Sequence, residues 1–123
     1  MKTVLFIDDE AALQRTLGEF LKQEGYNVLS ALDGENGLEL AKKQNPDLIL
    51  LDLIMPKMNG FETLAALKSD PGTKSIPVII LTNLEDINDI DRAIEAGADS
   101  YLLKSHYSPD EVIEKINQVL GCK

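Results

Sequence analysis

The chain alternates short apolar runs with amphipathic segments of helical period. The runs are Val4–Ile7, Tyr26–Ala31, Leu48–Leu51, Val78–Leu81 and Tyr101–Leu103, each short enough for a strand and rich in Val, Ile, Leu or aromatics. Between them, Leu13, Leu17, Phe20 and Leu21 recur at helical spacing, as do Leu64, Leu67 and Lys68 after Phe61. Ile87, Ile90 and Ile94 repeat the pattern, and so do Val112, Ile116, Val119 and Leu120. The last helix has the sharpest start: Ser108 as N-cap, Pro109 at the first helical position and Glu111 completing a capping box. Gly25, Gly97 and Gly121 sit where helices should stop, and Asp33-Gly34 and Asn59-Gly60 mark turns.

Five strand and five helix units in strict alternation predict an α/β fold, a doubly wound parallel sheet with helices on two faces. The strands also rank themselves. Val4–Ile7, Leu48–Leu51 and Val78–Leu81 are continuously apolar, which requires burial on both faces and a central place in the sheet. Tyr26–Ala31 carries Asn27 and Ser30, and the run around Tyr101 is short, so these two belong at the edges. With right-handed crossovers, strand order 2-1-3-4-5 satisfies that ranking.

The 123 residues carry 44% hydrophobic side chains, enough for one soluble globular domain, and no linker or low-complexity run divides them. Twenty-one acidic against twelve basic side chains give a net charge of −9, which disfavours direct binding to nucleic acid or to an anionic membrane surface. No apolar run approaches the ~18 residues needed to span a bilayer. The start, Met1-Lys2-Thr3-Val4, lacks the form of a signal peptide. The single cysteine, Cys122, can form neither an internal disulfide nor a zinc site, which fits a reducing cytoplasm.

In a sheet of this order, ligands bind beyond the carboxyl ends of the strands, near the switch between the first and third. The first strand ends in Asp8-Asp9, the third in Asp52, the fourth in Thr82 and the fifth in Lys104. A rim is polar in any such fold, and that accounts for each residue taken singly. It accounts less well for three carboxylates converging beside one lysine. Such carboxylates repel, so one stays protonated or a cation neutralises them. An all-oxygen site with few protein ligands suits Mg²⁺. Lys104 offers a point charge for a phosphoryl oxygen, and Thr82 a hydroxyl donor. Asp52, flanked by Leu51 and Leu53 on the central strand, is placed as a nucleophile that would form an aspartyl phosphate.

Five separated motifs then appear in order: Phe6-Ile7-Asp8-Asp9-Glu10, Leu50–Pro56 around Asp52 with Met58-Asn59-Gly60, Ile80-Leu81-Thr82, Ala96-Gly97-Ala98-Asp99, and Tyr101-Leu102-Leu103-Lys104. In these the chain resembles the receiver domain of two-component response regulators over essentially its whole length. The resemblance implies a flavodoxin-like fold and a response regulatory domain spanning 1–123. It implies that Asp52 is the phosphoacceptor, and that Asp9 is a direct Mg²⁺ ligand with Asp8 acting largely through water. The Ile54 backbone carbonyl would be a further ligand. Thr82 would bond the phosphoryl group and Lys104 would pair with it. Tyr101 resembles an aromatic switch that moves inward when Thr82 is drawn to the phosphate. The donor would be a histidine kinase or phosphotransfer protein. The readout for an output protein or effector domain would be the surface of the fourth helix, fifth strand and fifth helix. The chain would be catalytic only toward its own phosphorylation and dephosphorylation.

Each role has a plainer competitor. Tyr101 fits equally an edge-strand aromatic half-buried on a helix, Thr82 a cap, and Lys104 an edge-blunting lysine. Met55 and Met58 are expected to pack the loop after Asp52, and His106 to be solvated. Asp86, Asp89, Asp91 and Glu95 read as the solvated face of a helix. Two departures from the family pattern stand out. Ser105 occupies a place where relatives commonly carry a cis-proline, and a cis bond before serine costs about 2.5–4 kcal/mol. Ile54 and Leu84 are apolar where many relatives carry polar groups near the attacking water, which predicts slow loss of phosphate. The competing functions are a phosphorylation-independent interaction module, a small aspartyl-phosphate hydrolase and a flavin mononucleotide carrier. The hydrolase reading leaves Asp52, Thr82 and Lys104 unexplained, and Asp9-Glu10 would repel a flavin phosphate.

Overall fold

The computed structural model describes residues 2–121, so Cys122 lies outside the described residues. The elements run β1 (Thr3–Ile7), α1 (Ala11–Gln23), β2 (Asn27–Ala31), α2 (Gly34–Gln44), β3 (Leu48–Leu51), α3 (Gly60–Ser69), β4 (Val78–Thr82), α4 (Ile87–Glu95), β5 (Ser100–Leu103) and α5 (Pro109–Leu120). All strand pairs are parallel, in the order β2-β1-β3-β4-β5. The fold class and strand order are those expected from the sequence. The three apolar strands are central and buried, whereas β2 and β5 form half-exposed edges.

Alternation along each strand splits the core into two layers. Leu5, Ile7, Ile49, Leu51, Val78 and Ile80 face Ala41 of α2, Leu64 and Leu67 of α3 and Ala93 of α4. Val4, Phe6, Leu48, Leu50, Ile79 and Leu81 face Leu17 and Leu21 of α1 and Val112, Ile113 and Ile116 of α5.

Several local expectations change. Tyr26 precedes β2 instead of starting it; its ring is buried and its hydroxyl donates to the side-chain oxygen of Asn117 on α5. Phe20 lies at the margin of the α1 stripe and is half-exposed. Lys68 is not a core position, because its Nζ reaches past α3 to the carbonyls of Ile76 (2.9 Å) and Lys74 (3.2 Å). The largest difference is α4. Ile87 and Ile94 are 64% and 45% exposed, and only Ala93 of this helix is buried. A small alanine lets α4 sit on the sheet while Ile87 and Ile94 face outward and Ile90 is partly buried. Asp86, read as part of a solvated face, caps α4 by accepting from the Asn88 N–H at 2.8 Å.

The expected capping box of α5 forms between Ser108 and Glu111, and the hydrogen bonds with Ser108, its backbone N–H first, lower the Glu111 pKa. A second box, Asn59 with Glu62, starts α3. It clamps the loop that follows β3, and Gly60 completes the closure. The Gly60 N–H donates to the Leu53 carbonyl at 3.0 Å, and a Cβ there would fall 2.3 Å from both the Asp52 carbonyl oxygen and the Leu53 Cα. The three expected stop glycines, Gly25, Gly97 and Gly121, all have positive φ.

Gly60→Ala should therefore destabilise the protein by about 1–3 kcal/mol, since backbone must move to admit the methyl group. Gly18→Ala, inside α1 with only Val28 Cγ1 at 4.0 Å from the new Cβ, should be neutral or gain up to about 1 kcal/mol. Urea denaturation of both variants checks the pair; equal effects would contradict the close approach at Gly60.

Candidate functional site

The sheet ladder delivers the site. Beyond the last paired residues, the Asp8 N–H donates to the Ala31 carbonyl and the Asp52 N–H to the Ile7 carbonyl, both at 3.0 Å. The backbones of both aspartates are thus held as if still in the strands. Oxygen atoms of Asp8, Asp9 and Asp52 lie within 4.8 Å of one another. Asp8 and Asp52 are buried, at 0% and 4% exposure, and Asp9 is open to solvent. Lys104, one residue past β5, reaches into the group. Its Nζ stands 2.8 Å from Asp8 Oδ2, 3.1 Å from Asp52 Oδ2 and 3.1 Å from Glu10 Oε1. Backbone donors hold the other carboxylate oxygens: Glu10 N–H to Asp8 Oδ1 at 2.9 Å and Ile54 N–H to Asp52 Oδ1 at 3.2 Å. A cleft of about 380 Å³ opens here, lined by Asp9, Glu10, Asp52, Ile54, Asn83 and Lys104.

One ammonium among four carboxylates leaves the pocket negative. Burial raises the Asp8 pKa, and the charge of Asp52 raises it further, against the opposing bonds from Lys104 and the Glu10 N–H. For Lys104, burial works to lower the pKa but is outweighed by the bond to Asp8 and the charges of Asp52 and Asp8, so it is raised and the amine stays charged. Hard oxygen donors in charge excess, one exposed and two fixed by backbone bonds, fit a divalent cation such as Mg²⁺.

Thr82, the last residue of β4, is fully buried, and its Oγ1 has no hydrogen-bond partner among the described residues. A buried hydroxyl without a partner is costly and points to a group that is brought to it. Tyr101 is half-buried on β5, and its hydroxyl donates to the Leu84 carbonyl at 2.8 Å. Burial, then Asp89 and Asp52, push its pKa up to about 12. The aromatic therefore ties the edge strand to the segment between Thr82 and α4.

The structure thus brings together Asp8, Asp9, Asp52, Thr82 and Lys104 at one rim, with Ile54 beside them and Tyr101 on the adjoining strand. Leu84 departs from expectation. It packs against the core layer beneath α3 and α4, and Asn83 lines the cleft instead. Ile54, 53% exposed, does line the cleft. Met55 is buried and His106 exposed, as expected. No cis peptide bond occurs among the described residues, and Lys104–His106 form a 3₁₀ turn. Glu10, assigned no role from its motif, is a third partner of Lys104.

The family model for the response regulator receiver domain matches residues 4–117. The chain belongs to this family. Receiver domains are signalling domains of two-component systems. The chain is 38% identical over 120 residues to a DNA-binding dual master transcriptional regulator, RpaA of a Synechocystis strain, covering 98% of the chain and 49% of the relative. It is 41% identical over 117 residues to the ycf27 protein of Porphyridium aerugineum, a probable transcriptional regulator, covering 95% and 47%. The receiver domain thus spans about half the length of these curated relatives. Among solved structures, Vibrio cholerae chemotaxis protein CheY4 superposes with a TM-score of 0.90 at 29% identity, covering 97% of this chain and 98% of that one. The receiver domain of Francisella response regulator 1452 gives the same TM-score, 0.90, at 29% identity and 98% coverage of each chain.

The raised Asp8 pKa has a consequence for stability. The folded receiver domain holds the Asp8 proton more tightly than the unfolded chain, so stability falls as pH rises through and above 3.8, the ordinary value. Asp8→Asn should therefore raise the melting temperature at pH 7 without divalent ions, and the gain should vanish in acid as Asp8 becomes protonated in both states. Calorimetric melts across that range check it; a lower melting temperature for the variant at pH 7 would contradict the charge excess.

Proposed function

We propose that this receiver domain, spanning 1–123, is a phospho-accepting switch in which Asp52 takes a phosphoryl group from a histidine kinase or phosphotransfer protein. The observation that carries the reading is the buried Asp52 carboxylate held between the Lys104 amine and the acidic cluster, with the unpartnered Thr82 hydroxyl on the next strand. Asp8, Asp9, Asp52 and the Ile54 carbonyl would hold Mg²⁺. Bound there, Mg²⁺ supplies positive charge to offset the oxygens of the transferring group.

The chain's own residues do the rest. An Asp52 oxygen attacks phosphorus; the new P–O bond forms as the donor's P–N bond breaks, and the departing imidazole nitrogen takes up a proton. Lys104 already contacts Asp52 and moves its charge onto a phosphoryl oxygen. Thr82 turns its hydroxyl to donate to another. Because Tyr101 is bonded to the Leu84 carbonyl, movement of Thr82 and the segment after it is transmitted to β5 and α4. The exposed isoleucines of α4 then present an altered α4-β5-α5 surface to an output protein or effector domain. That the relatives are transcriptional regulators of about twice this length supports an effector in transcription control. The net charge of −9 supports protein partners for this segment, and not nucleic acid. Among the described residues no helix is long and apolar enough to cross a membrane, and we place the domain in the cytoplasm.

Asp52→Asn should abolish uptake of a phosphoryl group from the kinase or from a small acyl phosphate, because an amide is not the required nucleophile. Intact-mass analysis checks it; uptake equal to that of the parent would remove Asp52 as acceptor.

Decay of the phosphoprotein should be slow, because the Ile54 side chain stands at the cleft and cannot hydrogen-bond an attacking water. Ile54→Asn should speed it by up to about a decade, equivalent to ~1.4 kcal/mol of barrier. Single-turnover decay at fixed Mg²⁺ measures this, and an unchanged rate would exclude Ile54 as the obstruction.

A further inference from the structure

We propose that Gln14 is a positioning residue for the metal-binding carboxylate Asp8. Gln14 lies on α1, outside the cleft, and is only 8% exposed. Its Nε2 faces three backbone carbonyls: Phe6 at 2.9 Å, Ala31 at 3.0 Å and Asp8 at 3.1 Å. An amide nitrogen has two hydrogens, so three acceptors share two donors at this point.

The three carbonyls mark the place where pairing between β1 and β2 runs out, at Ile7 and Ala31. Asp8 leaves the sheet there. Its N–H donates to the Ala31 carbonyl, which Gln14 also holds, and its own carbonyl is held by Gln14 directly. The Gln14 backbone N–H in turn donates to the Glu10 carbonyl at 3.1 Å. One residue therefore grips both ends of the Asp8-Asp9-Glu10 segment. With the Asp8 peptide groups fixed on each side, and Oδ1 fixed by the Glu10 N–H, the carboxylate is aimed before any cation arrives.

The other half of the amide shows which function is retained. Gln14 Oε1 is buried and has no hydrogen-bond partner among the described residues. A side chain kept for packing alone would be apolar and would bury no such atom. The donor half is the part in use, and an arginine, which carries donors only, should replace it. Groups that orient metal ligands from behind typically govern metal affinity by about 10–100-fold.

The inference rests on the reading of Asp8, Asp9 and Asp52 as the Mg²⁺ site, and the test separates the two. Mg²⁺ affinity is measured by titration calorimetry for the full chain, its Gln14→Leu and Gln14→Arg variants, with melting curves in the absence and presence of saturating Mg²⁺. The parent should bind Mg²⁺ and melt higher with it. Gln14→Leu should bind about tenfold more weakly, with a smaller Mg²⁺-dependent rise in melting temperature. Gln14→Arg should return to within about threefold of the parent. Gln14→Leu that loses stability equally with and without Mg²⁺, at parental affinity, would overturn the proposal and leave Gln14 as packing. Should the leucine variant fail to fold, the arginine variant decides: parental affinity supports the donor role, and a loss of tenfold or more overturns it. Failure of the parent to bind Mg²⁺ would instead overturn the reading of the metal site itself.

Discussion

Everything at this rim turns on the placement of one ammonium among carboxylates that the sheet forces together. Parallel register fixes the ends of β1 and β3 side by side, so Asp8 and Asp52 cannot separate without breaking ladder bonds. Lys104 offsets part of the repulsion from across the sheet, at 2.8 Å from Asp8 and 3.1 Å from Asp52. Removing two carboxylates and an amine from water is costly, and the attraction among them repays it only in part. The residual negative charge makes the pocket receptive to a cation, which on the proposed reading would offset the charge of a phosphoryl group on Asp52.

The same architecture is stiff at the site and soft beyond it. The central strands are fully buried, and the β3–α3 loop is closed by Gly60 and the Asn59 capping box. By contrast α4 rests on Ala93 and on a cation–π contact in which the Arg92 guanidinium sits 4.0 Å from the Phe61 ring centre. Such contacts are worth about 0.5–2 kcal/mol, well below the burial holding the strands. A change at Thr82 is therefore most easily absorbed by the segment leading into α4, where Tyr101 is bonded to the Leu84 carbonyl.

Much of this was legible in the sequence because it rests on period and position. Continuous apolar runs named β1, β3 and β4 as central, and the residues directly after β1, β3 and β5 named Asp8, Asp9, Asp52 and Lys104 as neighbours. What stayed hidden depends on side-chain direction. The isoleucines of α4 have a core-like spacing, yet spacing cannot tell a stripe facing the sheet from one facing water. Leu84 lies two residues from Thr82, but its backbone turns it into the core while Asn83 faces the cleft. Asp86 and Asn59 act as caps, a role that depends on where a helix starts and not on its periodicity. Glu10 and Gln14 gave no signal beyond a motif and a polar break in an amphipathic helix. Their contacts cross between elements, to Lys104 from β5 and to the carbonyls ending β1 and β2.

The most direct measurement is to locate the phosphoryl group on the unmodified chain. The protein is incubated with a small acyl phosphate, with Mg²⁺ and with a chelator in parallel, and then digested for peptide mass spectrometry. The account predicts one phosphoryl group per chain, formed only with Mg²⁺, released by neutral hydroxylamine as an acyl phosphate should be, and carried by the peptide containing Asp52. Uptake that ignores the chelator, or a phosphoryl group on any other side chain, would contradict it.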